Sequence, residues 1–174
     1  MKLTYRTAGA ADAPAIAHLH ATNWQLTYRG AFTDDYLDNH APTERLQVWT
    51  ERFSEPNPRM ITILAENEAG LQGFCCIFLD YGPDGHLLDN LHVTAGNHGK
   101  GIGKTLMRKA AEQVAVYDTE KEIYLWVLTT NTNAMAMYEH LGGRRGRTEV
   151  HHFGQGNRTP ALALYWSVAE MASL

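Results

Sequence analysis

Leu91-His92-Val93-Thr94-Ala95-Gly96-Asn97-His98-Gly99-Lys100-Gly101-Ile102-Gly103-Lys104-Thr105-Leu106-Met107 is the stretch that decides the fold. An apolar run ends at Val93 and residues 96–103 are dense in glycine. Ile102, Leu106 and Met107 then open a pattern that continues through Ala110, Ala111 and Val114 on one helical face. Strand, glycine loop and helix in that order aim several backbone N–H groups, with the roughly +0.5 charge of a helix N-terminus, at one spot. That is an anion or phosphate site, and glycines let a phosphate approach the backbone closely. Spacing departs from two nucleotide loops by a single position each. GxxxxGK[ST] would end at Gly103-Lys104-Thr105, but its first glycine falls on His98. GxGxxG would start at Gly99 and Gly101, but its third glycine falls on Lys104, and no βαβ unit leads into it.

Upstream, residues 3–7 alternate as a short strand. Residues 9–12 supply turn and cap chemistry, and Pro14 suits the first turn of a helix whose stripe is Ile16, Leu19 and Trp24, ending near Gly30. Leu46, Trp49 and Phe53 predict a second helix from residues 42–43, stopped by Pro56 and Pro58. Residues 60–65, 73–79 and 87–93, joined by short turns, read as an antiparallel meander. Downstream, Ile123, Leu125 and Val127 alternate as a strand. Ala134, Met137, Tyr138 and Leu141 make a helical stripe closed by Gly142-Gly143, and residues 150–153 and 162–166 read as two final strands. The pattern is one mixed α+β layered domain over residues 1–174, with no repeat or linker.

Composition narrows the function classes. Fifteen Lys and Arg against 19 Asp and Glu, net −4, give no basic excess for nucleic acid. No apolar stretch approaches the ~20 residues of a membrane span, and the N-terminus lacks a signal-peptide core, so the expectation is a cytoplasmic protein with no membrane partner. Cys75 and Cys76 are adjacent in a strand and point to opposite faces, so they read as core residues rather than a disulfide or metal pair. His151-His152 likewise diverge without a third ligand, and no metal is expected.

His98-Gly99-Lys100-Gly101-Ile102-Gly103, following Leu91-His92-Val93, resembles the acyl-CoA loop of the GNAT (GCN5-related) N-acetyltransferases, [Q/R]-x-x-G-x-[G/A], with His98 in place of the usual Gln or Arg. Asn131-Thr132-Asn133-Ala134-Met135-Ala136-Met137-Tyr138, continuing to Gly142-Gly143, is similar to that family's N-x-x-A-x-x-[LF]-Y-x-x-x-G block. The element order over the whole chain agrees. The resemblance implies a three-layer α/β fold of α+β class. Its mixed, mostly antiparallel sheet has about seven strands, splayed between the fourth and fifth, and about four flanking helices. It implies acetyl-CoA as donor, pairing with the backbone of Leu91, His92 and Val93 and resting its pyrophosphate on His98, Gly99, Lys100, Gly101, Ile102, Gly103 and Lys104, with Asn131 and Tyr138 also in contact. Asn131 is in addition a natural helix N-cap.

The implied reaction is direct attack of a primary amine, a small molecule or a peptide amine, on the thioester. A lysine-like amine, pKa ~10.4, must lose a proton at a cost of about 4.6 kcal/mol at pH 7, and the departing thiolate gains from an acid beside the sulfur. Tyr138 matches the family's tyrosine in that role. The position of the family's base carboxylate is Leu87 here, and Asp89, two residues on and on the same face by strand period, is the nearest substitute. His92, on the other face by the same period, is a second candidate. Trp24, Tyr28, Arg29 and Gly30, then Tyr36, resemble a W-x-x-x-Y-R-G stretch of small-molecule members and are the candidate acceptor contacts. The substitution at Leu87 keeps open a non-catalytic acyl-CoA-binding sensor, and the near match to GxxxxGK[ST] a nucleotide-binding protein. Homodimers are common in the family.

Overall fold

The structure, a computed structural model, describes residues 2–174. β1 (Thr4–Thr7) leads through a 3-10 turn into α1 (Ala13–Thr27), whose second residue is Pro14. A π-helical turn at Tyr36–His40 joins α2 (Ala41–Ser54). The meander follows as β2 (Met60–Asn67), β3 (Gly70–Phe78) and β4 (His86–Val93), and the glycine loop opens α3 (Ile102–Tyr117). β5 (Ile123–Leu128), α4 (Thr132–His140), β6 (Arg144–His152), β7 (Arg158–Trp166) and the short α5 (Val168–Ala172) complete the chain. No helix among the described residues is long and apolar enough to cross a membrane.

The seven strands form one sheet in the order β1-β2-β3-β4-β5-β7-β6, antiparallel throughout except between β4 and β5. That parallel ladder holds only His86↔Ile123 and Leu87↔Tyr124, after which the strands part. Gly85 closes the base of the fork: its φ is +117°, and a Cβ there would stand 2.3 Å from the Glu122 carbonyl oxygen, which accepts from the His86 N–H at 2.8 Å. Only glycine permits that approach.

Helices cover both faces. α3 and α5 bury Leu106, Met107, Ala110, Val114 and Met171 against Cys75, Ile77, Leu125 and Leu164. On the opposite face α1 and α2 bury Ile16, Leu19 and Trp49 against Leu64, Phe74 and Cys76. The two cysteines therefore serve different layers, as adjacent strand residues must. Past the fork, Trp24, Phe32, Tyr36 and Leu37 pack on Leu128 and Ala161.

Among the described residues five helices flank the sheet, against an expectation of about four, the last being the short α5 capped by Ser167 and Glu170. Three expectations are corrected. β6 begins at Arg144, because an outermost strand that is exposed along nearly its whole length carries no apolar alternation to announce it. Leu46 is 44% exposed, because the inward face of α2 runs through Ala41, Arg45, Trp49 and Arg52 instead. Lastly, β4 carries a bulge: Cys76 pairs with Asn90 and Ile77 with Leu88, leaving Asp89 as the extra residue. The alternation slips there, so His92, opposite Phe74, lies on the same face as Leu87, opposite Phe78.

Candidate active site

The fork between β4 and β5 opens into a cavity of about 920 Å³ that runs from the glycine loop, past the β4 edge and α4, to the α1–α2 face. At the loop end, Gly101 caps α3 in the left-handed region, φ 79°, and the first helical bond runs from the Thr105 N–H to the Gly101 carbonyl at 2.9 Å. The N–H groups of Gly101, Ile102, Gly103 and Lys104 precede that bond and have no partner inside the helix. A Cβ on Gly99 (φ +75°) or Gly101 would meet nothing within 4 Å, so the space over these amides is open to a ligand. Four amides at the start of a 16-residue helix, beside open space, fit the pyrophosphate of a CoA.

Two polar side chains of this loop, Lys100 and His98, do other work. Lys100 Nζ donates to Asn97 Oδ1 at 2.9 Å, and Lys100 is absent from the cavity wall, so only its backbone serves the loop. His98 Nε2 lies 3.0 Å from the Val93 carbonyl oxygen and ties the loop back to β4. Leu91, His92 and Val93 line the cavity along the open edge of β4, as do Gly99, Gly101, Ile102, Gly103 and Lys104.

On the opposite wall, Asn131 caps α4 by accepting from the Ala134 N–H at 3.2 Å, and it also lines the cavity. Tyr138, two turns on, is 9% exposed, edge-on to Trp166 at 6.2 Å, and lines the same cavity. Burial, with Tyr28 nearby, pushes its phenol well up, so it remains a proton donor. Met137, placed by periodicity on the core stripe, is 40% exposed and lines the cavity instead.

At the acceptor end the candidate bases are engaged. Asp89 Oδ2 accepts from Arg52 Nη2 at 2.7 Å, and Arg52 Nη1 also donates to Asn90 Oδ1 at 2.8 Å. Asn23 Nδ2 donates to the Val93 carbonyl at 2.9 Å, which fixes it as the amide nitrogen, and it also reaches His92 Nδ1 at 3.4 Å. His92 Nδ1 is thus an acceptor and its proton sits on Nε2. Burial, reinforced by Arg45, brings His92 down to about 3, so the ring is neutral. Trp24 and Tyr28 line the cavity, Trp24 within an aromatic cluster with Phe32 and Phe153. Arg29 does not line it; its guanidinium is bound to Asp34 and Asp38.

Polar residues of the wall that escaped the sequence reading include His20, Asn23, Arg45 and Arg52, and His151 was read there only as half of a rejected metal pair. The signal was present in α2, where Arg45, Trp49 and Arg52 fall at i, i+4 and i+7, a charged residue on either side of the buried tryptophan of one stripe. Arg45 lies 4.5 Å above the Trp24 ring and Arg52 4.8 Å above Trp49, so both are held inward by aromatic faces.

The model of the acetyltransferase (GNAT) family matches residues 19–143. Among solved structures, the PaiA N-acetyltransferase of Thermoplasma acidophilum, in complex with coenzyme A, superposes with a TM-score of 0.73 at 18% identity over 95% of this chain and 100% of that one. A GCN5-related N-acetyltransferase from Rhodopseudomonas palustris gives 0.74 at 16% identity over 96% of each chain. Mutant forms of the spermidine/spermine N-acetyltransferase SpeG from Vibrio cholerae give 0.66 at 17% over 99% and 98%. A search of curated protein sequences finds no match. With the fork, the amide cradle and the family match in agreement, the chain belongs to the acetyltransferase (GNAT) family of enzymes.

Proposed function

We propose that this protein transfers an acetyl group from acetyl-CoA to a primary amine by direct attack within a ternary complex. The observation that carries the reading is one cavity that has the free amides of residues 101–104 at one end and the buried phenol of Tyr138 beside the β4–β5 fork. When bound, acetyl-CoA supplies an activated carbonyl. The amides hold the pyrophosphate, the open edge of β4 aligns the pantetheine arm, and Tyr138 O–H delivers a proton to the departing sulfur. Direct attack is favoured over a covalent relay because both cysteines are buried in the core layers, outside the cavity wall, with their thiols pushed up by burial.

With Asp89 held by Arg52 and His92 Nδ1 engaged by Asn23, neither of these two candidate bases is free to take the amine proton. The amine then enters as its free base, and kcat/KM rises about tenfold per pH unit up to the amine's own pKa. The test is release of free thiol from acetyl-CoA across a panel of amines, with calorimetric CoA binding alongside. Turnover with that pH profile supports the reading. CoA binding with no turnover on any amine would instead make the protein an acyl-CoA sensor.

A further inference from the structure

Two buried donors at the acceptor end have no partner. Trp49 Nε1–H donates to His20 Nδ1 at 3.1 Å. An indole nitrogen can only donate, so Nδ1 is the acceptor and the proton of the neutral ring is on Nε2. His20 is 1% exposed and lines the cavity, yet its Nε2 makes no hydrogen bond. The Nε–H of Arg45 is likewise buried and unpaired, although the same guanidinium is bound to Glu44 through Nη2. The two groups share one aromatic support: Arg45 lies over the Trp24 ring at 4.5 Å, and His20 meets that ring edge-on at 5.0 Å.

An unpaired buried donor costs about 1–3 kcal/mol, so two of them on one wall call for a ligand with accepting oxygens. The charge of the wall gives the ligand its sign. Its only carboxylate is Asp89, already bound to Arg52, whereas Arg45, although bound to Glu44 through Nη2, keeps its Nε–H unpaired. A polyamine, with positive charge along its length, finds no free carboxylate there.

We infer that the acceptor is an amine that also carries a carboxylate, which the Arg45 guanidinium and the His20 Nε2–H hold while the amine reaches the fork. The inference rests on the acetyl-transfer reading and goes beyond it by giving the substrate's second functional group. Guanidinium and carboxylate are matched in shape as well as charge. His20 adds a neutral donor, because burial, with His92 and the two arginines adding to it, keeps its ring unprotonated.

The test compares aliphatic amino carboxylates with their own carboxamides and methyl esters, and with spermidine, by thiol release from acetyl-CoA. The acid should exceed its amide in kcat/KM by roughly 10- to 100-fold, the range of a lost charge-assisted hydrogen bond. Arg45→Gln should abolish that preference by raising the KM of the acid alone, with the KM of acetyl-CoA and of the amide within about twofold, and Arg45→Lys should restore part of it. Spermidine or the amides serving as well as the acids, or a preference untouched by Arg45→Gln, would overturn the inference while leaving acetyl transfer intact. No thiol from any amine would overturn both.

Discussion

Trp49 decides what His20 can do. By donating to Nδ1 at 3.1 Å it leaves the ring a donor at Nε2, and Asn23 imposes the same tautomer on His92, whose ring centroid is 4.4 Å from that of His20. Both rings are held below the ordinary histidine range by burial, His92 down to about 3. A histidine with a depressed folded pKa binds more protons when unfolded, so its stabilising contribution is present above about pH 6.5 and is lost as pH falls from there toward the folded value. Urea unfolding between pH 6.5 and 5 should show stability falling by up to about 1.4 kcal/mol per pH unit for each ring. The His92→Asn variant should be less steep by one such increment, and parallel slopes would contradict the neutral pair. Little of this was legible in the sequence. Tyr138 and Asn131 stood out through local spacing, whereas the tautomers of His20 and His92 depend on Trp49 and Asn23, which the fold alone brings to them.

Among elements, the loop into α3 was the most legible, because its chemistry is backbone chemistry and glycine spacing writes it directly. Gly101 needs φ 79° to turn β4's exit into a helix whose first amides face the cavity. Gly101→Ala should cost about 1–2 kcal/mol of stability, the strain of a left-handed alanine, and weaken CoA binding about tenfold or more in calorimetry. Gly82→Ala is the control: it has φ +70° and equally open space but lies outside the cavity wall, so it should lose stability without losing affinity. Equal CoA affinity in the two variants would contradict the cradle. β4 shows where a period of two fails: one extra residue, Asp89, turned His92 to the face of Leu87. α2 shows the complementary failure. Leu46 reads as core by type, but the helix buries the other edge of its stripe, where Trp24 and Trp49 offer their rings to Arg45 and Arg52.

For the molecule as a whole, a net charge of −4 accompanies a site for a polyanion, so the attraction must come from oriented amides rather than from a basic surface. Binding at the fork joins β4, α3, β5 and α4 through one ligand, and a ligand at 100 times its Kd adds about 2.7 kcal/mol to folding. Saturating CoA should therefore raise the unfolding midpoint by about 5–10 °C, and a larger rise with ATP would favour a nucleotide site instead. The fork was implied only by the family resemblance of the glycine loop and of residues 131–143, whereas the element order followed from the sequence because loop, helix and meander each carry their own signal. The charge of the acceptor end did not, since residues from α1, α2, β4 and β6 build it jointly. The account rests most heavily on Tyr138 as the acid at the sulfur, and the direct measurement is steady-state thiol release by Tyr138→Phe beside the parent enzyme. A fall in kcat of about 100-fold or more, with the KM of acetyl-CoA within about twofold, is the predicted result; an unchanged kcat would contradict it.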